Sequence, residues 1–245
     1  MDPENSYNFR KYGRGSRSRR SHQKNKNSEN LKVVVRVRPL MQREALNGQF
    51  ISTVAVGSDS RLIQLYEYFN LELVDPEEVE DYISNQDSYQ AHTFTFDRIY
   101  DESSSQEEIY QNTAKLSVDN CLEGYNATLL AYGQTGTGKT YTMEGFSYDG
   151  QNPARGIIPR AIEDIFRHIR DKAEPQTTFM VRCSYLQIYN ENISDLLKPE
   201  RKNLAIRESP KGVYVENLSE WAVRSPNEIY SLLKKVKELI WLIME

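Results

Sequence analysis

Histidine and cysteine are both scarce in this chain. Its 245 residues hold three histidines, His22, His92 and His168, and two cysteines, Cys121 and Cys183. These are too scattered to meet at zinc-ligand spacing, so no zinc site is expected. Two cysteines far apart in apolar segments read as buried free thiols of a reducing compartment, not as a disulfide framework. Long apolar runs are missing too. No stretch approaches the roughly 18 residues of a membrane span, and no apolar core of a secretory signal follows the N-terminal charges. These absences predict a soluble intracellular protein without a membrane span. Residues 1–30 also lack almost every aliphatic side chain, being rich in Ser, Asn, Arg, Lys and Gly. Such a segment cannot bury enough apolar surface to offset its ordering entropy, so it is expected to remain a disordered arm.

What is present is unevenly charged. Residues 1–30 carry eight Lys or Arg against three acidic residues, a net charge of +5, which leaves 23 basic and 32 acidic residues in 31–245, a net charge of −9. A basic arm on an acidic globule is the expected arrangement. The arm would draw acidic protein tails or nucleic acid by the same long-range attraction, or would simply be solvated. Overall, 38% hydrophobic and 11% aromatic residues suffice for a packed core in the part that follows.

The pattern from residue 31 alternates strands and helices, as expected of an α/β sandwich. Leu31 to Arg38 is β-branched and stopped by Pro39, and further strand-like runs are Ile51 to Val56, Leu62 to Tyr66 and Thr93 to Phe96. The acidic stretch from Asp75 to Gln90 reads as a surface excursion. Ser103 to Glu108 opens a helix, with a serine cap and carboxylates in the first turn, that runs through Ile109, Ala114, Val118 and Leu122 to a stop at Gly124. Thr128 to Tyr132 reads as a short buried strand. Pro159 to Arg170 reads as an amphipathic helix with Ile162, Ile165, Phe166 and Ile169 on one side. Phe179 to Ile188 is expected as a strand, Ser194 to Leu197 as a helical turn and 203–224 as a hairpin lobe. Ser225 and Pro226 cap and open a last helix.

One motif carries chemistry. Gly133, Gln134, Thr135, Gly136, Thr137, Gly138, Lys139 and Thr140 fit the phosphate-loop pattern G-x-x-x-x-G-K-[ST]. Its glycines let successive backbone N–H groups converge on a phosphate where no Cβ intrudes. A helix starting near Lys139 would add the partial charge of its N-terminus. Lys139 can bridge phosphate oxygens, which makes it the candidate catalytic cation, and the Thr140 hydroxyl can ligate Mg²⁺. A purine nucleoside triphosphate with Mg²⁺ is therefore the expected ligand.

The surroundings of the loop narrow the family. Ala131 to Gly145, reading AYGQTGTGKTYTMEG, resembles the kinesin phosphate loop with its flanks. Val35 to Leu40 (VRVRPL), Gly156 to Arg160 (GIIPR) and Ser184 to Leu197 (SYLQIYNENISDLL) agree with the same family in order and position. The resemblance runs from about Lys32 to Lys235. It implies a P-loop NTPase-type three-layer sandwich with a central, mostly parallel or mixed sheet, incomplete on its C-terminal side. The implied division is a basic arm over 1–30, the N-terminal, nucleotide-binding part of a motor domain over 31–237 and a divergent apolar end over 238–245.

The resemblance also implies roles. Arg36, Arg38 and Pro39 would receive adenine, with Tyr141 stacking on the base, since guanidinium and aromatic planes both offer flat faces to a purine. Without the family, two arginines on one strand would read as a solvated face. No guanine-reading N-K-x-D pattern occurs, in keeping with adenine. Lys198, Arg201, Lys202 and Lys211 in the hairpin lobe resemble a secondary microtubule contact, although ordinary solvated lysines would look the same. Microtubules are the implied partner, with acidic tubulin tails as what the basic arm would meet, and nucleic acid is not expected. The implied location is the cytoplasmic, microtubule-bound cytoskeleton, with spindle and cilium as candidate places.

The chain departs from the family in two respects. Kinesins carry a switch of the form N-x-x-S-S-R-S-H and a strand ending in D-x-A-G, and neither pattern occurs here. The apolar stretch Glu238 to Glu245 also fails to match. It is expected to reflect a chain end, an aberrant splice or a mis-assigned exon, with an interaction tail as the alternative. Because an ATPase needs a metal-holding carboxylate and a group that orients water, this chain by itself is expected to bind ATP but neither hydrolyse it nor move. The competing reading is a kinesin-derived, non-hydrolysing microtubule-associated module.

Overall fold

The computed structural model describes residues 31–45, 50–75, 77–148, 152–174, 176–210 and 212–244. The basic arm over 1–30 lies outside them. The elements that follow belong to the unit Val34–Glu245.

The chain enters with strand β1 (Val34–Arg36), a short helix α1 (Gln42–Ala45), and strands β2 (Val54–Val56) and β3 (Leu62–Tyr68). Helix α2 (Val79–Ser84) leads to β4 (Tyr89–Thr95) and β5 (Arg98–Tyr100). One helical rod follows: α3 (Gln106–Ile109), a π-helical turn (Tyr110–Ala114) and α4 (Lys115–Leu122). Then come α5 (Lys139–Met143), α6 (Ile157–Asp171), β6 (Val181–Cys183), β7 (Leu186–Tyr189), β8 (Asn192–Asp195), β9 (Ile206–Ser209), β10 (Gly212–Val215), β11 (Trp221–Val223) and α7 (Pro226–Met244).

Several of these elements start where local chemistry dictates. The Ser105 side chain accepts the Glu108 amide at 3.1 Å, capping the rod,. Gly124 closes the rod's end at φ +100°,. Ser225 accepts the Glu228 amide at 3.3 Å and Pro226 takes the first position of α7,. The rod supplies four residues of the core, Ile109, Tyr110, Ala114 and Val118, which cluster with Tyr100 and Ile157 and are flanked by Val34, Leu129, Met143 and Ile165. Each large apolar side chain removed from water there stabilises the fold by about 1.5–3 kcal/mol. Two buried phenols are satisfied: Tyr110 donates to Asp164 at 2.7 Å, and Tyr100 shares a 2.6 Å bond with Thr113.

The strands form five separate ladders among the described residues. Four are two-stranded (β1–β5, β9–β10, β6–β11 and β7–β8) and one is three-stranded (β2–β3–β4). Only β1–β5 is parallel, with Val35 opposite Ile99, and it is extended by Val37 donating to Tyr100 at 2.8 Å.

Six expectations need correction. The first strand is confined to Val34–Arg36, shorter than Leu31 to Arg38. Thr128 to Tyr132 forms no ladder, because no neighbouring chain pairs with it. It still alternates like a strand: Leu129 and Ala131 turn inward, while Leu130 is 88% and Tyr132 96% exposed, so only one face is covered. The stretch from Asp75 to Gln90 is no simple excursion, since it contains α2 and the start of β4. Phe179 to Ile188 is broken: β6 pairs with β11, and β7 pairs with β8. Ser194 to Leu197 is not helical, because its first residues belong to β8. The β7–β8 turn is made by Asn190 and Glu191 at φ +50° and +63°, the left-handed pair that suits a tight hairpin,. The thiols also differ from expectation. Cys121 is exposed and Cys183 half-buried, since packing in α4 falls to Val118 and Leu122 and leaves Cys121 to solvent in the last turn.

Candidate nucleotide site

Gly133 to Thr140 joins the unpaired extended segment to α5. Gly136 and Gly138 hold φ of +89° and +96°, where any Cβ strains the backbone,. A Cβ on Gly136 would touch nothing within 4 Å, and one on Gly138 would meet only Arg38 Cδ at 3.9 Å. Conformation, and not crowding, therefore demands glycine at both positions. Inside the loop, the Thr137 amide and hydroxyl both donate to the Gln134 carbonyl, at 3.3 and 2.8 Å. The Lys139 ammonium folds back across the loop and donates to the carbonyls of Gly133 at 2.8 Å and Gln134 at 2.9 Å. Thr140 stands exposed at the second position of α5. That helix has five residues, so the loop's own amides and the ammonium outweigh any helix dipole. Such a loop can meet an anion with several N–H groups and one cation.

Strand β1 ends at Arg36, and Arg38, two residues beyond it, lies beside this loop. Arg36 donates from one nitrogen to Gln106 Oε1 at 2.9 Å and to Thr142 Oγ1 at 2.8 Å. Its guanidinium carbon lies 5.0 Å from the centre of the Tyr141 ring, a cation–π distance,. Burial lowers the Arg36 pKa, with Tyr141 opposing the shift. Tyr141 also packs on Phe146, with centroids 4.8 Å apart and rings at 43°. Arg38 forms a bidentate pair with Glu44, at 2.9 and 2.8 Å. Hydrogen bonds from Arg38 and then from the Met41 amide hold the Glu44 carboxyl down at about 2. Pro39 follows, exposed. A cleft of about 170 Å³ beside the loop is bounded by Arg36, Tyr132, Gly138, Lys139 and Thr142 among others.

The structure thus brings Arg36, Arg38, Pro39 and Tyr141 to the flank of Gly133–Thr140. Sequence reasoning missed Gln106, Thr142 and Glu44. Gln106 sits in the first turn of a capped helix, where a polar side chain reads as surface. Glu44 follows Arg38 at a spacing that an extended strand end does not bring together.

Lys198, Arg201 and Lys202 are not among the residues that line the cleft beside the loop. Arg201 donates to the Asn217 carbonyl at 2.7 Å and so serves the lobe itself, Lys202 is exposed, and Lys198 is half-exposed. Lys211 lies outside the described residues. The buried Asp195 carboxylate organises this region. It accepts the amides of Leu197 and Lys198 through Oδ1 at 2.9 and 3.1 Å and that of Ser219 through Oδ2 at 2.8 Å. No three metal-ligating side chains converge among the described residues.

A family model of the kinesin motor domain matches residues 36–239. The chain belongs to the kinesin motor domain family. Kinesin-like protein KIF3C of Pongo abelii is 40% identical over 208 residues, which are 84% of this chain and 24% of that protein. Kinesin-like protein klp-20 of Caenorhabditis elegans is 40% identical over 209 residues, 84% of this chain and 29% of that protein. Kinesin-like protein KIN-12B of Arabidopsis thaliana is 47% identical over 153 residues, 58% of this chain and 12% of that protein. A solved structure of a fast kinesin superposes with a TM-score of 0.69 at 36% identity, covering 85% of this chain and 52% of that one. The fold is therefore the kinesin P-loop NTPase type. The chain spans about a quarter of the length of the KIF3C relatives.

Proposed function

We propose that residues 31–237 are the nucleotide-binding part of an ATP-driven microtubule motor, and that residues 1–245 alone bind Mg·ATP without turning it over. The observation that carries the reading is the Lys139 ammonium held over a loop whose glycines have left-handed backbones. In this reading Gly133 to Thr140 take the triphosphate, and the Thr140 hydroxyl holds Mg²⁺, which neutralises phosphate charge. Arg36, Arg38, Pro39 and Tyr141 receive the adenine. Microtubule contact falls to Lys198, Lys202 and Lys211, with Arg201 shaping their turn, and the chain works on the microtubule cytoskeleton, including spindle or cilium. The absence of both switch patterns from the sequence supports binding without hydrolysis.

Titration of the purified chain with a fluorescent ATP analogue and Mg²⁺ tests the first half. Lys139→Ala should weaken binding by about tenfold or more, the cost of losing charge-assisted hydrogen bonds. Equal affinity of the two proteins would refute the phosphate-loop reading. Microtubule-stimulated phosphate release by purified 1–245 would refute the second half.

A further inference from the structure

Gln106 is the polar side chain that links the base side of the site to the rest of the fold. It is 4% exposed, at the start of α3. Its Oε1 accepts from Arg36 at 2.9 Å, while its Nε2 donates to the carbonyls of Tyr141 at 2.6 Å and Ala154 at 3.2 Å. Three of the amide's four hydrogen-bonding positions are filled, and they fix which end is which. Turned over, its NH₂ would face a guanidinium and its oxygen would face two carbonyls. The backbone below is equally fixed. Ser105 caps the helix, and the neighbouring Glu107 is paired with the buried Arg160 of α6. A single amide on a rigid helix thus holds both members of the Arg36–Tyr141 contact, one by its side chain and the other by its main chain.

We propose that Gln106 is the positioning residue of the base side. Its amide sets the Arg36 guanidinium against the Tyr141 ring, so that cation and ring meet a purine as one preset face. The inference rests on the ATP-binding reading above and adds the origin of base recognition. It also divides the site into two parts. Lys139 and the loop amides serve the phosphates, whereas Gln106 reaches none of the loop from Gly133 to Lys139 and acts only through Arg36 and Tyr141. An amide is suited to the task, because it needs to accept from a cation and donate to a carbonyl at once. Glutamate could do only the first and leucine neither.

The test compares two competitors of a fluorescent ATP analogue on the full chain: ATP and inorganic tripolyphosphate, which has phosphates but no base. Gln106→Leu keeps the side chain's bulk and removes its hydrogen bonds. It should weaken ATP by about tenfold or more, the scale of hydrogen bonds to a charged group, and change tripolyphosphate by less than about twofold. Gln106→Glu keeps the acceptor for Arg36 and should fall between leucine and the wild type. Retained tripolyphosphate binding shows that the variant is folded with its loop intact. Equal weakening of both competitors, or unchanged ATP affinity, overturns the proposal, because Gln106 would then be a general support or irrelevant. A wild-type chain that prefers ATP no more than tripolyphosphate overturns it while leaving the phosphate cradle standing. A chain that binds neither removes the ATP-binding reading and this inference together.

Discussion

Removing the Asp195 carboxylate should loosen the basic lobe measurably. Asp195 is 0% exposed, yet its two oxygens receive three backbone amides, from Leu197, Lys198 and Ser219. Asp195→Ala strands those donors. The Ser219 amide bond is buried, whereas Leu197 and Lys198 are half-buried and can recover water. One full penalty and two partial ones come to about 3 kcal/mol, at about 1–3 kcal/mol for each unsatisfied buried group. For a domain of this size that lowers Tm by about 6–12 °C. Asp195→Asn keeps one oxygen and should cost roughly half as much. The charge makes the effect pH-dependent. Burial opposes ionisation, but the bonds from Ser219, Leu197 and Lys198 outweigh it and lower the carboxyl's folded pKa. The stabilisation is therefore complete above the unfolded value of about 4 and is lost as pH falls through the lower folded value. Thermal unfolding followed by circular dichroism between acid and neutral pH checks both points. An alanine variant melting within about 1 °C of the wild type, where such a loss predicts several degrees, would refute the reasoning.

Helix α7 and the segment after the phosphate-loop helix meet through Tyr148, which stacks on Tyr230 at 5.2 Å and 3° and lies under the Lys237 ammonium at 4.8 Å. Lys237 also pairs with Glu144 at 2.6 Å. Lys237→Met should cost about 1 kcal/mol, since the half-exposed ammonium is screened by water, and a variant as stable as the wild type would count against that contact. Burial pulls the Lys237 pKa down, but bonds to Glu144 and Tyr148 leave it raised. The contribution is thus whole below the unfolded lysine value and disappears as pH climbs through the folded one. Cys121 should react with a disulfide reagent at least about ten times faster than Cys183, because thiolate content and access govern the rate and burial raises the Cys183 pKa. Equal rates would contradict these environments.

What the sequence made legible was chemistry confined to a few neighbouring residues. The Ser105 and Ser225 caps, the Gly124 stop and the α6 helix depend on local backbone needs, and each formed where the residues indicated. The glycine spacing of Gly133 to Thr140 was readable for the same reason. Features that need a distant partner were not. Thr128 to Tyr132 has the composition of a strand, but a ladder requires a neighbour, so composition alone overstated it. The β7–β8 hairpin turns on Asn190 and Glu191 with no glycine to announce it. Gln106 was invisible because its three partners lie between 35 and 70 residues away in the chain.

The contacts of Lys139 have a consequence for how a ligand would enter. An ammonium bonded to the carbonyls of Gly133 and Gln134 ties Lys139 back to the first two residues of its own loop. If the loop takes a phosphate as proposed, the phosphate oxygens would replace those two carbonyls as partners of the ammonium. Part of the entropy of closing the loop would then be spent before the ligand arrives.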